Sequence, residues 1–174
     1  SLSLKSFVMT GCPALYSLEH VNAGFPAPAK IRKVSFSLGV SFVESASMEK
    51  SMKDTILMLR AYFNDAEFKV VFHHSLDKEI HMKAYNAKES FVNRHQEFAA
   101  WLKMEGISYL DVSGGVEKFV DHYSDCDLHL GYRVHAHILM TSISKPTVLL
   151  CEDGRGTALR NVIGGLVIDG HQYR

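Results

Sequence analysis

Residues 123–155, Y-S-D-C-D-L-H-L-G-Y-R-V-H-A-H-I-L-M-T-S-I-S-K-P-T-V-L-L-C-E-D-G-R, constrain the fold more than any other stretch of the chain. The spacing predicts a short strand over 128–130, a turn at Gly131 and a helix from about Arg133 to Ser142. A second strand over 147–151 then runs into Asp153-Gly154-Arg155. Two sheet strands joined by a crossover helix run parallel, so the segment reads as a βαβ unit. Arg133 and His135 both fall in the first turn of the predicted helix. Cations there oppose the helix dipole. An anion held by the open N–H groups of that turn would make them favourable instead. The turn is therefore read as an anion site carrying a proton donor. In the plainer alternative Arg133 faces water and His135 packs under the sheet.

The rest of the chain repeats the alternation. Strands are expected over 6–10, 33–39, 68–73, 107–112, 147–151 and 166–168, beside the one at 128–130. In the second of these, Val34, Phe36 and Leu38 share one side of an alternating run. Helices are expected over 48–63 with Ser47 as cap, over 77–84, over 88–104 with Gly106 as terminator, over 116–122, and over 155–163 with a cap near Gly164-Gly165. Residues 24–29 are loop by their prolines, and 39–46 a loop at a strand's carboxyl end. Strand–helix alternation of this kind predicts an α/β fold, a doubly wound, mostly parallel, Rossmann-like sheet spanning 1–174 as one domain. Ligands of such sheets bind outside the carboxyl ends of the strands. Residues 11–13, 39–41, 73–75, 131–135 and 153–155 fall there.

Composition excludes several classes. Formal net charge is zero, so nothing favours a nucleic-acid partner or an anionic membrane surface. Apolar runs are broken by polar residues well short of a transmembrane length. The chain starts at Ser1 with no signal-like segment, which fits a cropped chain, and three dispersed cysteines, Cys12, Cys126 and Cys151, fit a reducing cytoplasm. With no CxxC pair a structural zinc site is not expected. His73-His74 and His135-x-His137 lack acidic or thiolate ligands at a supporting spacing, so no metal is expected.

Several motifs are missing. No G-x-G-x-x-G follows a strand, Gly154-Arg155-Gly156 being the nearest approach, and neither a P-loop nor a G-x-S-x-G elbow occurs. Cys12, between Gly11 and Pro13, has no assigned base and reads as a packed turn cysteine. Anion chemistry remains. Arg133 offers a planar fork for a carboxylate or phosphate, and His135 brings an imidazole that could deliver a proton. Arg155 either adds a second clamp or pairs with Asp153 or Glu152.

Gly131-Tyr132-Arg133-Val134-His135 resembles the G-x-R-[LV]-H motif of the polysaccharide pyruvyl transferases. The following S-I-S-K-P-T-V-L-L-C-E-D-G-R is similar to that family's small-residue helix, proline turn, strand and D-x-R, with Asp153 and Arg155 in the last. Thr10-Gly11-Cys12-Pro13 resembles its T-G-C-P-S-[LM] run, with Ala14 where Ser is usual. Val134 for Leu and His137 at a usually small position are further departures. The resemblance implies two Rossmann-like lobes, as in two-lobed glycosyltransferases, of which this chain would be the carboxyl-terminal, donor-binding half.

It also implies a reaction: transfer of a pyruvyl group from phosphoenolpyruvate to two hydroxyls of a glycan or lipid-linked saccharide, forming a cyclic ketal in polysaccharide biosynthesis. By that analogy Arg133 holds the carboxylate or phosphate, aided by the N–H of Val134 or His135. His135 protonates the enol methylene carbon, and the resulting oxocarbenium-like centre takes a sugar hydroxyl. Phosphate is lost as the ketal closes. The scheme calls for no cofactor or metal, since cationic side chains supply the charge stabilisation. Two other readings stay open: the donor half of a nucleotide-sugar glycosyltransferase, and a non-catalytic domain for binding or assembly.

Overall fold

The computed structural model describes residues 28–85, 88–163 and 166–170. The strand expected over 6–10, the 11–13 turn with Cys12, most of the 24–29 loop and the Gly164-Gly165 cap lie outside them. Six strands form one sheet: β1 (Lys33–Ser37), β2 (Glu67–Phe72), β3 (Ser108–Asp111), β4 (Leu128–Gly131), β5 (Thr147–Cys151) and β6 (Val167–Asp169). Their order is β3-β2-β1-β4-β5-β6 and every pairing is parallel. The fold is Rossmann-like α/β. The helices are α1 (Ala46–Tyr62), α2 (Lys78–Tyr85), α3 (Glu89–Met104), α4 (Val116–Asp125), α5 (Val134–Ser142) and α6 (Gly154–Ile163). Among the described residues no helix is long and apolar enough to cross a membrane.

From β1 the chain steps outward to β2 and β3, then returns to the centre at β4 and steps the other way. Crossovers of one hand place the helices of the two halves on opposite faces. Packing agrees. Met52 and Ile56 of α1 and Phe98, Ala99 and Leu102 of α3 close over Val34, Phe36, Phe68, Val70 and Phe72. On the other face Tyr123 of α4 and Ala136 and Met140 of α5 pack with Val71, while Ile138 and Leu159 cover Leu149, Cys151 and Val167.

Two expectations about local structure change. Ser45 rather than Ser47 caps α1. Its backbone is extended, and its hydroxyl accepts the Met48 N–H at 3.3 Å, while Ser47 Oγ lies 3.0 Å from Ser45 Oγ. The 39–46 loop contains a 3-10 turn at Ser41–Val43 that buries Phe42. The reversal of strand order lies between β1 and β4, so their carboxyl ends open the crevice where such sheets bind ligands.

Candidate functional site

At that crevice Gly131 ends β4 with φ +134°, a conformation side chains rarely adopt, and a Cβ there would sit 2.4 Å from the Ser37 carbonyl oxygen. Glycine thus lets β4 close against the last residue of β1, its register partner Ser37. The Tyr132 N–H donates to the Ser37 carbonyl at 3.0 Å, and the Arg133 N–H to Ser37 Oγ at 3.0 Å. Arg133 is the N-cap of α5, one residue ahead of the helix, and its extended backbone turns its side chain toward the β1 loop. Nε donates to the Leu38 carbonyl at 2.7 Å, and Nη2 reaches the Gly39 carbonyl at 3.5 Å and His74 Nδ1 at 2.9 Å. His135, two residues on, is exposed. The geometry inverts the plain alternative: the arginine is half-buried and oriented by the protein, and the histidine faces water.

Val134 turns its side chain into the cluster of Ile138, Leu149 and Leu159, leaving its backbone as the part available to a ligand. Asp153 and Arg155 pair with each other. Arg155 donates from Nε and Nη2 to Asp153 Oδ2 at 2.9 and 2.6 Å, and its N–H reaches Oδ1 at 2.9 Å. That pair is exposed at the start of α6, the Arg155 side chain at 67%. Gly131, Arg133, Val134 and His135 therefore share one turn, and the Asp153–Arg155 pair is closed on itself.

A buried chain of hydrogen bonds lies beneath the turn. Ser37 Oγ bonds His129 Nε2 at 2.9 Å, His129 Nδ1 bonds Thr147 Oγ1 at 2.8 Å, and His137 Nδ1 bonds the same oxygen at 2.9 Å. Burial holds His129 down to about 3 and His137 to about 4, so both are neutral at ordinary pH. His137 is thus a core residue rather than part of a ligand pair. His73 bonds the Tyr123 hydroxyl at 2.7 Å, and burial, reinforced by Arg133, holds it well below its usual value. Among the described residues no group of three or more His, Cys, Asp or Glu could hold a metal ion.

Three further contributors take partners that the sequence pattern does not assign, although His74 lies in the 73–75 stretch expected at the rim. His74, from the His73-His74 pair at the end of β2, is the imidazole that bonds Arg133, and it lines a cavity of ≈ 680 Å³ with Val43, Glu44, Phe91 and Arg94. Ser37 sits on the side of β1 opposite Phe36 and is completely buried. Glu152 reaches back to the β1 loop, accepting the Val40 N–H at 2.9 and 3.1 Å and the Ser41 N–H at 3.1 Å. Gly39 makes this approach possible, since a Cβ there would lie 2.4 Å from Glu152 Oε2. Alternating serines in a central strand, whose sheet is covered on both faces, are the signal that buried polar partners exist. No comparable signal points to Glu152.

Compared with family profiles, curated protein sequences and solved structures, the chain matches none.

Proposed function

We propose that the chain contributes the donor-binding site of a pyruvyl transferase that uses phosphoenolpyruvate and a glycan acceptor. The observation that carries this reading is Arg133, held at the crevice between β1 and β4 beside the start of α5, with His135 exposed on the same turn. Phosphoenolpyruvate presents a carboxylate and a phosphate. A guanidinium fork and the N–H groups of Val134 and His135 suit one of them. In this scheme His135 gives a proton to the methylene carbon, and the cationic C2 accepts a sugar hydroxyl, which loses its proton. The C–O bond to phosphate then breaks and inorganic phosphate leaves with the bonding pair, and the second hydroxyl closes the ketal as its proton passes to the departing phosphate.

The strand order, shared with dinucleotide-binding sheets, favours a second reading, a nucleotide-sugar transferase. Glu152 weighs against it. Such folds seat a pyrophosphate on the amides after the first strand, and here a carboxylate takes two of those amides. A ligand that binds only the folded state raises stability by about 2.7 kcal/mol at a hundredfold excess over Kd, roughly 5–10 °C in Tm for a chain of this size. Phosphoenolpyruvate should produce this shift and UDP should not. Arg133→Ala should remove the shift, and His135→Ala should keep it while abolishing transfer in the enzyme that contains this chain. A shift with UDP alone would overturn the proposal in favour of the second reading.

A further inference from the structure

Three arginines in the described part have guanidinium partners that differ in kind. Arg94 is held by the carboxylates of Glu49 and Glu97, and Arg155 by that of Asp153. Arg133 donates to the carbonyls of Leu38 and Gly39 and to an imidazole nitrogen of His74, each of them a neutral acceptor. A carboxylate partner fixes an arginine and cancels its charge together. A neutral acceptor fixes the guanidinium without itself taking up the charge.

His74 can serve in this way in one protonation state only. The guanidinium is a donor at every accessible pH, so His74 Nδ1, 2.9 Å from Arg133 Nη2, must be the acceptor and the ring proton must sit on Nε2. The neighbours show that this is a local assignment and not a habit of the cluster. His81 Nδ1 lies 2.7 Å from the Ser75 carbonyl and His95 Nδ1 lies 2.9 Å from the Phe91 carbonyl. Carbonyls only accept, so both of those rings carry the proton on Nδ1. The three rings stand 5.5 Å apart, centroid to centroid, with Phe91 packed against each. His81 and His95 are fully buried, and His74 is wedged between that packed group and Arg133.

We propose that His74 is the positioning residue of the Arg133 anion clamp, holding the guanidinium in place through a neutral, Nε2-protonated imidazole. The substrate named for its test rests on the reading of the site as a phosphoenolpyruvate site. An arginine side chain is rich in rotamers, and fixing it before the ligand arrives removes the cost of ordering it from binding. Burial, with the Arg133 charge adding to it, holds His74 down to about 3, so the acceptor persists across the pH range in which an enzyme works.

Two measurements test this. Long-range proton–nitrogen NMR of the wild-type chain should show His74 with a bare Nδ1 and a protonated Nε2, the reverse of His81 and His95. An Nδ1-protonated His74 overturns the inference whatever the substrate is. Calorimetric titration with phosphoenolpyruvate should show Kd raised about tenfold by His74→Leu, which removes the acceptor. His74→Asn puts an amide oxygen where Nδ1 stood and should stay within about twofold of wild type. A purely packing role predicts the opposite ranking, because leucine fills the apolar pocket better than asparagine. Wild-type binding left unchanged by His74→Leu removes this inference alone. Absence of any wild-type response to phosphoenolpyruvate removes the functional reading and the substrate named here with it. The NMR result and the asparagine variant keep the test decisive should the leucine variant fail to fold.

Discussion

The two faces of the sheet are built from alternate residues of the same strands, yet they are held together by different forces. In β1, Val34 and Phe36 face α1 and α3 and lie in an apolar cluster, while Ser35 and Ser37 point the other way and are just as completely buried. Ser35 Oγ bonds His122 Nε2 at 2.9 Å, and Ser37 Oγ bonds His129 and the Arg133 N–H. Apolar contact is non-directional and tolerates small displacements. Buried hydrogen bonds specify distance and angle, and a missing partner is costly. The face that runs up to the α5 turn is the directional one. That teaches where precision is placed: the apolar face supplies cohesion, and the hydrogen-bonded face aligns β1, β4 and β5 so that their carboxyl ends hold Arg133.

Acid should separate the faces most strongly. Burial holds His129 and His74 down to about 3 and His95, His122 and His137 to about 4, and His73 also lies well below its usual value. Each is a base whose folded-state value lies below its unfolded one. Well above an unfolded value of about 6.5 both states are neutral at these sites and nothing is gained or lost. Below it the unfolded chain binds protons that the folded chain refuses, so stability falls until the folded-state values are reached. The slope is about 1.4 kcal/mol per pH unit for each group. His73, His122, His129 and His137 belong to the hydrogen-bonded face, so that face should fail first. Urea unfolding should give a nearly flat stability from about pH 8 to 7 and a steep decline between about 6.5 and 4. A profile still flat at the acid end of that range would mean that these imidazoles are charged without penalty, and the contrast between the faces would collapse.

Phe36→Ala should be the largest single-residue effect. Its ring is fully buried and meets Tyr132 edge-on at 6.1 Å, and truncation of such a side chain costs about 4 kcal/mol through lost contact and the cavity left behind. Denaturation at about pH 7.5, where the histidines contribute nothing, measures this alone. A loss of only about 1 kcal/mol would show that the apolar face closes around gaps and is not the cohesive half.

Much of the framework is legible in the sequence because it follows from period and punctuation. The strand over 147–151 and the helix after Arg133 stand where spacing puts them, while Gly131, expected in the turn, is the last residue of β4. The α1 cap is not legible in the same way: Ser45 and Ser47 are equal candidates by residue type, and only the backbone shows which of them is extended. The site itself is half legible. Arg133 and His135 stand out through the oddity of cations at a helix start, but which of them is half-buried and which exposed does not, since that depends on the β1 loop. His74 lies 59 residues from Arg133 in sequence and Glu152 lies 112 from Val40. Nothing local encodes pairings across such spans.

Ser37→Ala is the smallest of these tests and the sharpest. It removes one oxygen, changes no packing volume of note, and withdraws a partner from both the Arg133 N–H and His129 Nε2. Leaving buried groups unsatisfied should cost about 2 kcal/mol, roughly half the effect of deleting the whole Phe36 ring. Thr147→Val removes the partner at the other end of His129 and should cost a similar amount. If Ser37, His129 and Thr147 act as one unit, the double variant should lose less than the two single losses combined, by about 1 kcal/mol, because once one end is broken the imidazole no longer holds the other in place. Strict additivity in the same urea experiment would mean that the polar face is a set of independent pairs. The alignment of β1, β4 and β5 beneath Arg133 would then have to come from the strand ladder and Gly131 alone.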